Sequence, residues 1–90
     1  MTSTERIASI GLDEFRRHLR LALRGQSYLW VDDRTLVVGE TITITVEELP
    51  PLVLSGLLTL PRLRIAFTFA EGDGGDFLTA WDRAFQRGGG

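Results

Sequence analysis

The sequence contains no cysteine and no lysine, and its single histidine is His18. Without cysteine, disulfides, thiolate catalysis and cysteine-ligated metal sites are excluded. Without lysine, Schiff-base catalysis and lysine-anchored cofactors are excluded, because both need a primary side-chain amine. The ten basic residues are all arginines and face twelve acidic ones, so the net charge of −2 offers no overall attraction for nucleic acid or anionic lipid.

Long apolar runs are also missing. The most apolar region, Leu49 to Leu63, contains three prolines and Arg62, and it falls short of the roughly 18 unbroken apolar residues of a membrane span. The first residues lack the basic start and apolar run of a signal peptide, so we expect a cytoplasmic protein without a membrane partner. The length and a hydrophobic fraction of 43% predict a single domain over residues 1–90, with 1–3 and 88–90 as frayed tails.

Two segments have the apolar spacing of one helical face. The first has acidic residues in its opening turn and Gly25 after it, which predicts a helix over residues 12–24. The second carries a broad apolar face over residues 77–85, with Asp76 placed as its N-cap and Gly88 as its end.

The rest of the chain has features of strands, with a turn or bulge at Gly39. The predicted strands are 4–10, 28–32, 35–38, 41–47, 52–59 and 62–70. Because Pro50 and Pro51 cannot donate hydrogen bonds, we expect pairing to stop there and residues 52–59 to form a separate strand near an edge. The order is strand, helix, about four strands, helix, where 35–38 and 41–47 count as one strand if Gly39 is a bulge. It predicts an α+β fold in which a curved antiparallel sheet has two helices on one face and an open second face.

The open face is the first candidate binding surface. Alternation in residues 41–47 and 62–70 turns threonines and arginines away from the helices. Either Tyr28 and Trp30 or their neighbours Leu29 and Val31 share that face; burial of the aromatics is favoured, whereas their exposure would form a cationic and aromatic platform for stacking a planar ligand or a base. The candidate residues are Tyr28, Trp30, Thr41, Thr43, Thr45, Arg62, Arg64 and Thr68.

The first helix has a basic side formed by Arg17, Arg20 and Arg24. It is either a solvated face or a contact for an acidic protein, a phosphate or a nucleic acid, and Leu21 on the same side favours a protein. His18 follows Glu14 by four residues, the spacing of a general base oriented by a carboxylate or of an ordinary boundary histidine. No nucleophile motif accompanies it, and the acidic turn at 71–76 lacks EF-hand spacing. We therefore predict no catalytic, cofactor-binding or metal-binding residues.

The second half of the chain resembles a known domain. The similarity spans Leu57 to Gly90 and lies in the order of three segments, GLLTLPRLRIAFTF, EGDGGDFLTAWDRAF and the terminal RGGG. In this order the chain is similar to a domain found fused C-terminal to ubiquitin-fold sulfur carriers of the molybdopterin-synthase small-subunit type. The resemblance implies a TATA-binding-protein-like fold, β-α-β(4)-α, and an association with sulfur transfer or molybdenum-cofactor assembly. No carrier domain precedes the match in this sequence, so we expect contact with a carrier to occur between chains.

Several functions are compatible with these patterns. The Gly88–Gly90 end is similar to the tail of a sulfur carrier, but that fold opens with a β-hairpin before its helix, and here one strand precedes the helix. The leading hypothesis is a non-enzymatic binding or accessory domain with a protein partner, a ubiquitin-fold sulfur carrier being the implied class. The alternative is a binder of small planar ligands or nucleic acid. A homodimer is also compatible with these patterns, because a second copy can cover an open sheet face or a free strand edge.

Overall fold

The computed structural model of the protein describes residues 1–23 and 25–89, with side-chain environments for 1–23 and 25–85. Five strands form one antiparallel sheet in the order β1-β5-β4-β3-β2. The elements are β1 Thr2–Ala8, α1 Leu12–Leu23, β2 Tyr28–Asp32, β3 Thr35–Val38, β4 Ile42–Ser55, β5 Leu58–Phe69 and α2 Gly75–Gly89. The predicted α+β class and antiparallel sheet are confirmed, and Gly39, with φ of 60°, belongs to a turn between β3 and β4.

Helix α1 has the predicted start and buries Phe15, Leu19 and Leu23 at intervals of four residues. Its predicted end, Arg24, lies outside the described residues. The predicted N-cap of α2 is wrong, because Asp76 is inside the first turn and the Asp73 carboxylate instead accepts a 2.9 Å hydrogen bond from the Gly75 N–H. α2 also continues one residue past the predicted end at Gly88. Neither described helix is long and apolar enough to span a membrane.

Both helices pack on the same face of the sheet and contact each other. The inward side chains of β5 alternate as predicted: Leu63, Ile65, Phe67 and Phe69 are all buried. The largest buried side chain is Trp81 of α2, whose ring contacts Phe67 edge-on with centroids 5.0 Å apart. Because both described helices, α1 and α2, pack on one face, the opposite face is the open face of this fold.

Strand β1 begins earlier than its sequence predicts. Thr2 pairs with Phe69 and Ser3 with Thr68, so the prediction that residues 1–3 fray is wrong for these two. The predicted end is wrong as well, since β1 stops at Ala8 and Ile10 turns into the core. Pairing with β5 supplies the hydrogen bonds that a free chain end would lack.

The prediction of a separate strand over residues 52–59 is also wrong. β4 continues through Pro50 and Pro51 to Ser55, β5 starts at Leu58 and continues through Pro61, and the two strands form one long hairpin. β3 pairs with β4 up to Thr45 and β1 pairs with β5 up to Leu63, so each strand has only one neighbour beyond those points. A proline whose nitrogen faces the edge without a neighbouring strand removes no hydrogen bond from the sheet. A register shift between Leu49 and Leu52 accommodates Pro50 and Pro51.

We call residues 49–61 the hairpin arm. None of the buried core residues comes from it, and the molecule is elongated, with extents of 45 × 22 × 21 Å. The arm is therefore an appendage of the folded domain rather than part of its core.

Removing the arm should leave the domain folded. Leu49 and Arg62 are directly paired, so replacing residues 50–61 with Asn-Gly closes the hairpin with a two-residue turn in register. We expect the free energy of unfolding to change by less than about 1 kcal/mol, because no core side chain is lost. Urea denaturation followed by far-UV circular dichroism measures this change, and loss of the cooperative transition would contradict the assignment of the arm as an appendage.

Candidate functional site

The open face has a row of hydroxyl groups across its centre. Ser3, Thr68 and Thr43 lie directly opposite one another on β1, β5 and β4, and the Ser3 and Thr68 hydroxyl oxygens are 3.5 Å apart. A second row joins Thr45 to Ala66 on β5. These short side chains make the centre of the open face shallow. Thr41 does not join them, because it lies in the turn before β4, where its carbonyl accepts a 2.8 Å hydrogen bond from Ala70.

The arginines of the open face are engaged by the sheet itself. Arg64 lies between two carboxylates of neighbouring strands, 2.6 Å from Glu47 and 3.9 Å from Glu5. Arg62 donates a 3.2 Å hydrogen bond from Nε to the carbonyl of Pro50. The predicted cationic character of this surface is therefore offset by neighbouring acids, and Arg64 is held by partners that an incoming anion would have to replace.

Tyr28 and Trp30 lie on the helix side of the sheet, away from the open face. They pair with the buried residues Val38 and Leu36, and directly opposite residues share a face. Both are half-buried against the core, and the guanidinium of Arg16 lies 5.1 Å from the Trp30 ring centroid. This is the burial that the sequence favours. The candidate set that placed Tyr28 and Trp30 on the open face is therefore wrong for these two residues. They do not form an aromatic platform with the arginines of that face.

Large apolar side chains lie exposed at two places on the surface, edge strand β2 and the hairpin arm. On edge strand β2, Leu29 is 71% exposed and Val31 is exposed beside it. In the hairpin arm, Leu57 at the tip is fully exposed, and four further apolar side chains are at least 40% exposed: Leu52, Val53, Leu54 and Leu58. One sequence signal could have located the arm, the absence of any charge between Glu48 and Arg62.

The basic side of α1 is exposed at Arg17 and Arg20, with Leu21 beside them, and Arg24 lies outside the described residues. Arg16 turns the other way and donates a 3.1 Å hydrogen bond to the carbonyl of Asp33, which ties α1 to the β2–β3 turn. The described part of this side is a convex helix surface.

His18 has the surroundings of a boundary histidine. Its Nε2 atom is 3.7 Å from the Glu14 carboxylate one helical turn away, and its ring packs against Phe85 with centroids 6.0 Å apart. Over residues 1–23 and 25–89, no group of three or more histidine and acidic side chains could hold a metal ion.

A cleft of about 420 Å³ lies between β1 and α2, and no sequence pattern predicts it. Its rim is an ion pair between Arg6 Nε and Asp82 Oδ1, 3.1 Å apart, and Trp81 and Ile65 form part of its wall. Arg6 also donates to the carbonyl of Glu5, so its hydrogen-bonding groups are engaged within the chain. No local pattern could have revealed the pair, because its members are 76 residues apart.

Comparison of the sequence with models of known protein families and with curated proteins finds no match.

Proposed function

We propose that this protein is a non-enzymatic binding domain that contacts a protein partner through the open face. The main support is a sheet face that neither described helix covers, whose central side chains are short hydroxyl and methyl groups. Small-molecule sites are concave and enclose most of their ligand, whereas this face is shallow. Arg64 is paired with Glu5 and Glu47 within the sheet, so a protein surface could cover this arginine without leaving it buried and unpaired.

The partner class we propose is a ubiquitin-fold sulfur carrier, in an accessory role in sulfur transfer or molybdenum-cofactor assembly. Support for this class is the resemblance of Leu57 to Gly90 to the domain fused behind such carriers. We also propose that the topology is TATA-binding-protein-like, which the order strand, helix, four strands, helix supports. Such a fold by itself would not imply nucleic-acid binding.

The test is isothermal titration of the purified chain with a purified sulfur carrier of the molybdopterin-synthase small-subunit type. Thr45 is exposed near the centre of the open face, so Thr45→Arg places a long charged side chain there. Ala80→Arg is the matched control, because Ala80 is exposed on α2, which lies on the opposite face of the sheet. We expect wild type and Ala80→Arg to bind equally and Thr45→Arg to bind at least about tenfold more weakly, a loss of roughly 1.4 kcal/mol.

Absence of carrier binding by the wild-type chain would overturn the proposed partner class. Binding that Thr45→Arg and Ala80→Arg weaken equally would overturn the proposed surface instead. Thermal unfolding of all three proteins checks that neither substitution acts through the fold, which we expect because both positions are exposed.

A further inference from the structure

The hairpin arm has a surface that one copy of the chain leaves uncovered. Its thirteen residues carry no charge, and the structure exposes five of its leucine and valine side chains. An apolar patch of this kind on a small domain marks an interaction site. The arm lies beyond the region where the helices pack, so it contributes no side chain to the buried core.

One side of the arm carries four leucines, with Ser55 opposite Leu58 near the tip. Leu52 lies directly opposite Leu60, and Leu58 is two residues from Leu60 on the same strand, so it points to the same side. Leu49 lies opposite Arg62, which shares the parity of Leu58 and Leu60. We call Leu49, Leu52, Leu58 and Leu60 the leucine face; it continues the open face beyond Arg62. Val53, next to Leu52 and opposite Thr59, is on the other side of the arm.

The arm's backbone disfavours a lipid bilayer as the occupant of this surface. Beyond Thr45 on β4 and Leu63 on β5, neither outer edge of the hairpin has a partner strand. Inserting the arm into hydrocarbon would leave its unpaired N–H and C=O groups without hydrogen bonds, at several kcal/mol for each group. Prolines 50, 51 and 61 also oppose pairing of an added strand along these edges. Contact through side-chain faces with a protein avoids both costs.

The charge distribution favours a second copy of this chain. An uncharged leucine surface is complementary to another uncharged apolar surface, and the leucine face of a second copy is one. In a twofold pair with antiparallel arms, the tip of each arm lies at the base of the other. The Arg62 side chains of the two copies are then kept apart by the length of the arm, about 20 Å. That separation exceeds the Debye length of about 8 Å at physiological salt, whereas parallel arms would place the two Arg62 side chains together.

We propose that the chain forms a twofold homodimer in which the leucine faces of two antiparallel hairpin arms pack against each other. The leucine face supplies four leucines a side, well below the roughly 20–30 residues a side of a standard stable interface. The dimer is therefore a reversible one, with a dissociation constant in the micromolar range, on the order of 1–100 µM. The threonine rows of the open face lie outside this contact, so the dimer does not depend on the proposed carrier.

Sedimentation-equilibrium ultracentrifugation of the chain alone, over roughly 1–500 µM, brackets that range. We expect the mass to rise from 10.0 kDa toward twice that value with concentration. Leu58→Glu should weaken the dimer at least about tenfold, because it buries a carboxylate against leucine. Val53→Glu, on the other side of the arm, should change the constant less than about twofold, as expected for an exposed position away from the contact. The variant with residues 50–61 replaced by Asn-Gly should remain a monomer throughout.

A monomeric wild-type chain over the whole concentration range would overturn the dimer. Equal weakening by Leu58→Glu and Val53→Glu would overturn the leucine face as the contact. Co-sedimentation of the wild-type chain, but not the arm-deleted variant, with neutral phosphatidylcholine vesicles would overturn the choice of a second copy in favour of lipid. Each result is read without a carrier, so failure here is distinct from failure of the proposed function.

Discussion

Replacing Trp81 with alanine should remove a large part of the stability of the domain. Trp81 is 2% exposed, and its ring stacks on Phe85 at 4.6 Å and contacts Phe67 and Phe15 at 5.0 and 5.9 Å between centroids. It thus joins α2 to both α1 and the sheet. Truncating a buried aromatic residue costs about 3–5 kcal/mol, against the roughly 5–15 kcal/mol that holds a typical domain folded.

Trp30→Ala is the matched control for Trp81→Ala. Trp30 is the other tryptophan, but it is half-buried on edge strand β2, where it packs against the core margin and under Arg16. We expect it to cost less than half as much, because fewer of its atoms leave water on folding. Urea denaturation followed by circular dichroism at 222 nm compares the two variants without depending on tryptophan fluorescence. Equal losses would show that the aromatic cluster is not the centre of the core.

Gly74→Ala should give the second large effect, from a residue that has no side chain. Gly74 has φ of 69°, and a Cβ atom added there would lie 2.3 Å from two ring carbons of Phe69. The left-handed backbone alone costs a non-glycine residue about 1 kcal/mol, and displacing the ring of a buried phenylalanine adds an overpacking cost of about 1–3 kcal/mol. We expect a total loss of about 2–4 kcal/mol of unfolding free energy.

Gly72→Ala separates the two contributions to this loss. Gly72 has nearly the same φ, 71°, but a Cβ there would meet nothing within 4 Å. The control therefore carries the backbone cost without the steric one, and we expect it to lose about 1 kcal/mol. Thermal and urea unfolding of both variants measure the difference. If the two substitutions cost the same, the close approach of Phe69 to Gly74 contributes nothing.

Much of the fold was predictable because it follows from local periodicity. The helical spacing of α1 and the alternation of β5 appear in the sequence, since side chains repeat every 3.6 residues in a helix and every two in a strand. The same alternation predicts that Thr43, Thr45, Arg64 and Thr68 share the open face, and the strand register agrees with it. The absence of cysteine and lysine excludes whole classes of chemistry whatever the fold is.

The candidate site was only partly predictable, because several of its features depend on neighbours that are distant in the chain. In Tyr28–Asp32 both parities carry large apolar side chains, so the pairing of Tyr28 and Trp30 with buried residues of β3 decided which side faces the helices. The pairing of Arg64 with Glu5 and Glu47 required β1 and β4 to flank β5. The sequence alone could not show that the Arg64 guanidinium is paired with these two carboxylates, because all three residues are distant in the chain.

The sequence by itself determined which chemistry is excluded, since it has no cysteine or lysine and only arginine as a basic residue. It also determined the two helical periods and the alternating strands, because each depends on neighbours a few positions away. Only the tertiary structure decided that Pro50, Pro51 and Pro61 lie within a hairpin rather than ending its strands. A proline breaks a strand when a second neighbour needs its missing N–H, and here the sheet supplies no such neighbour beyond Thr45 and Leu63. That same lack of neighbours leaves the hairpin arm exposed.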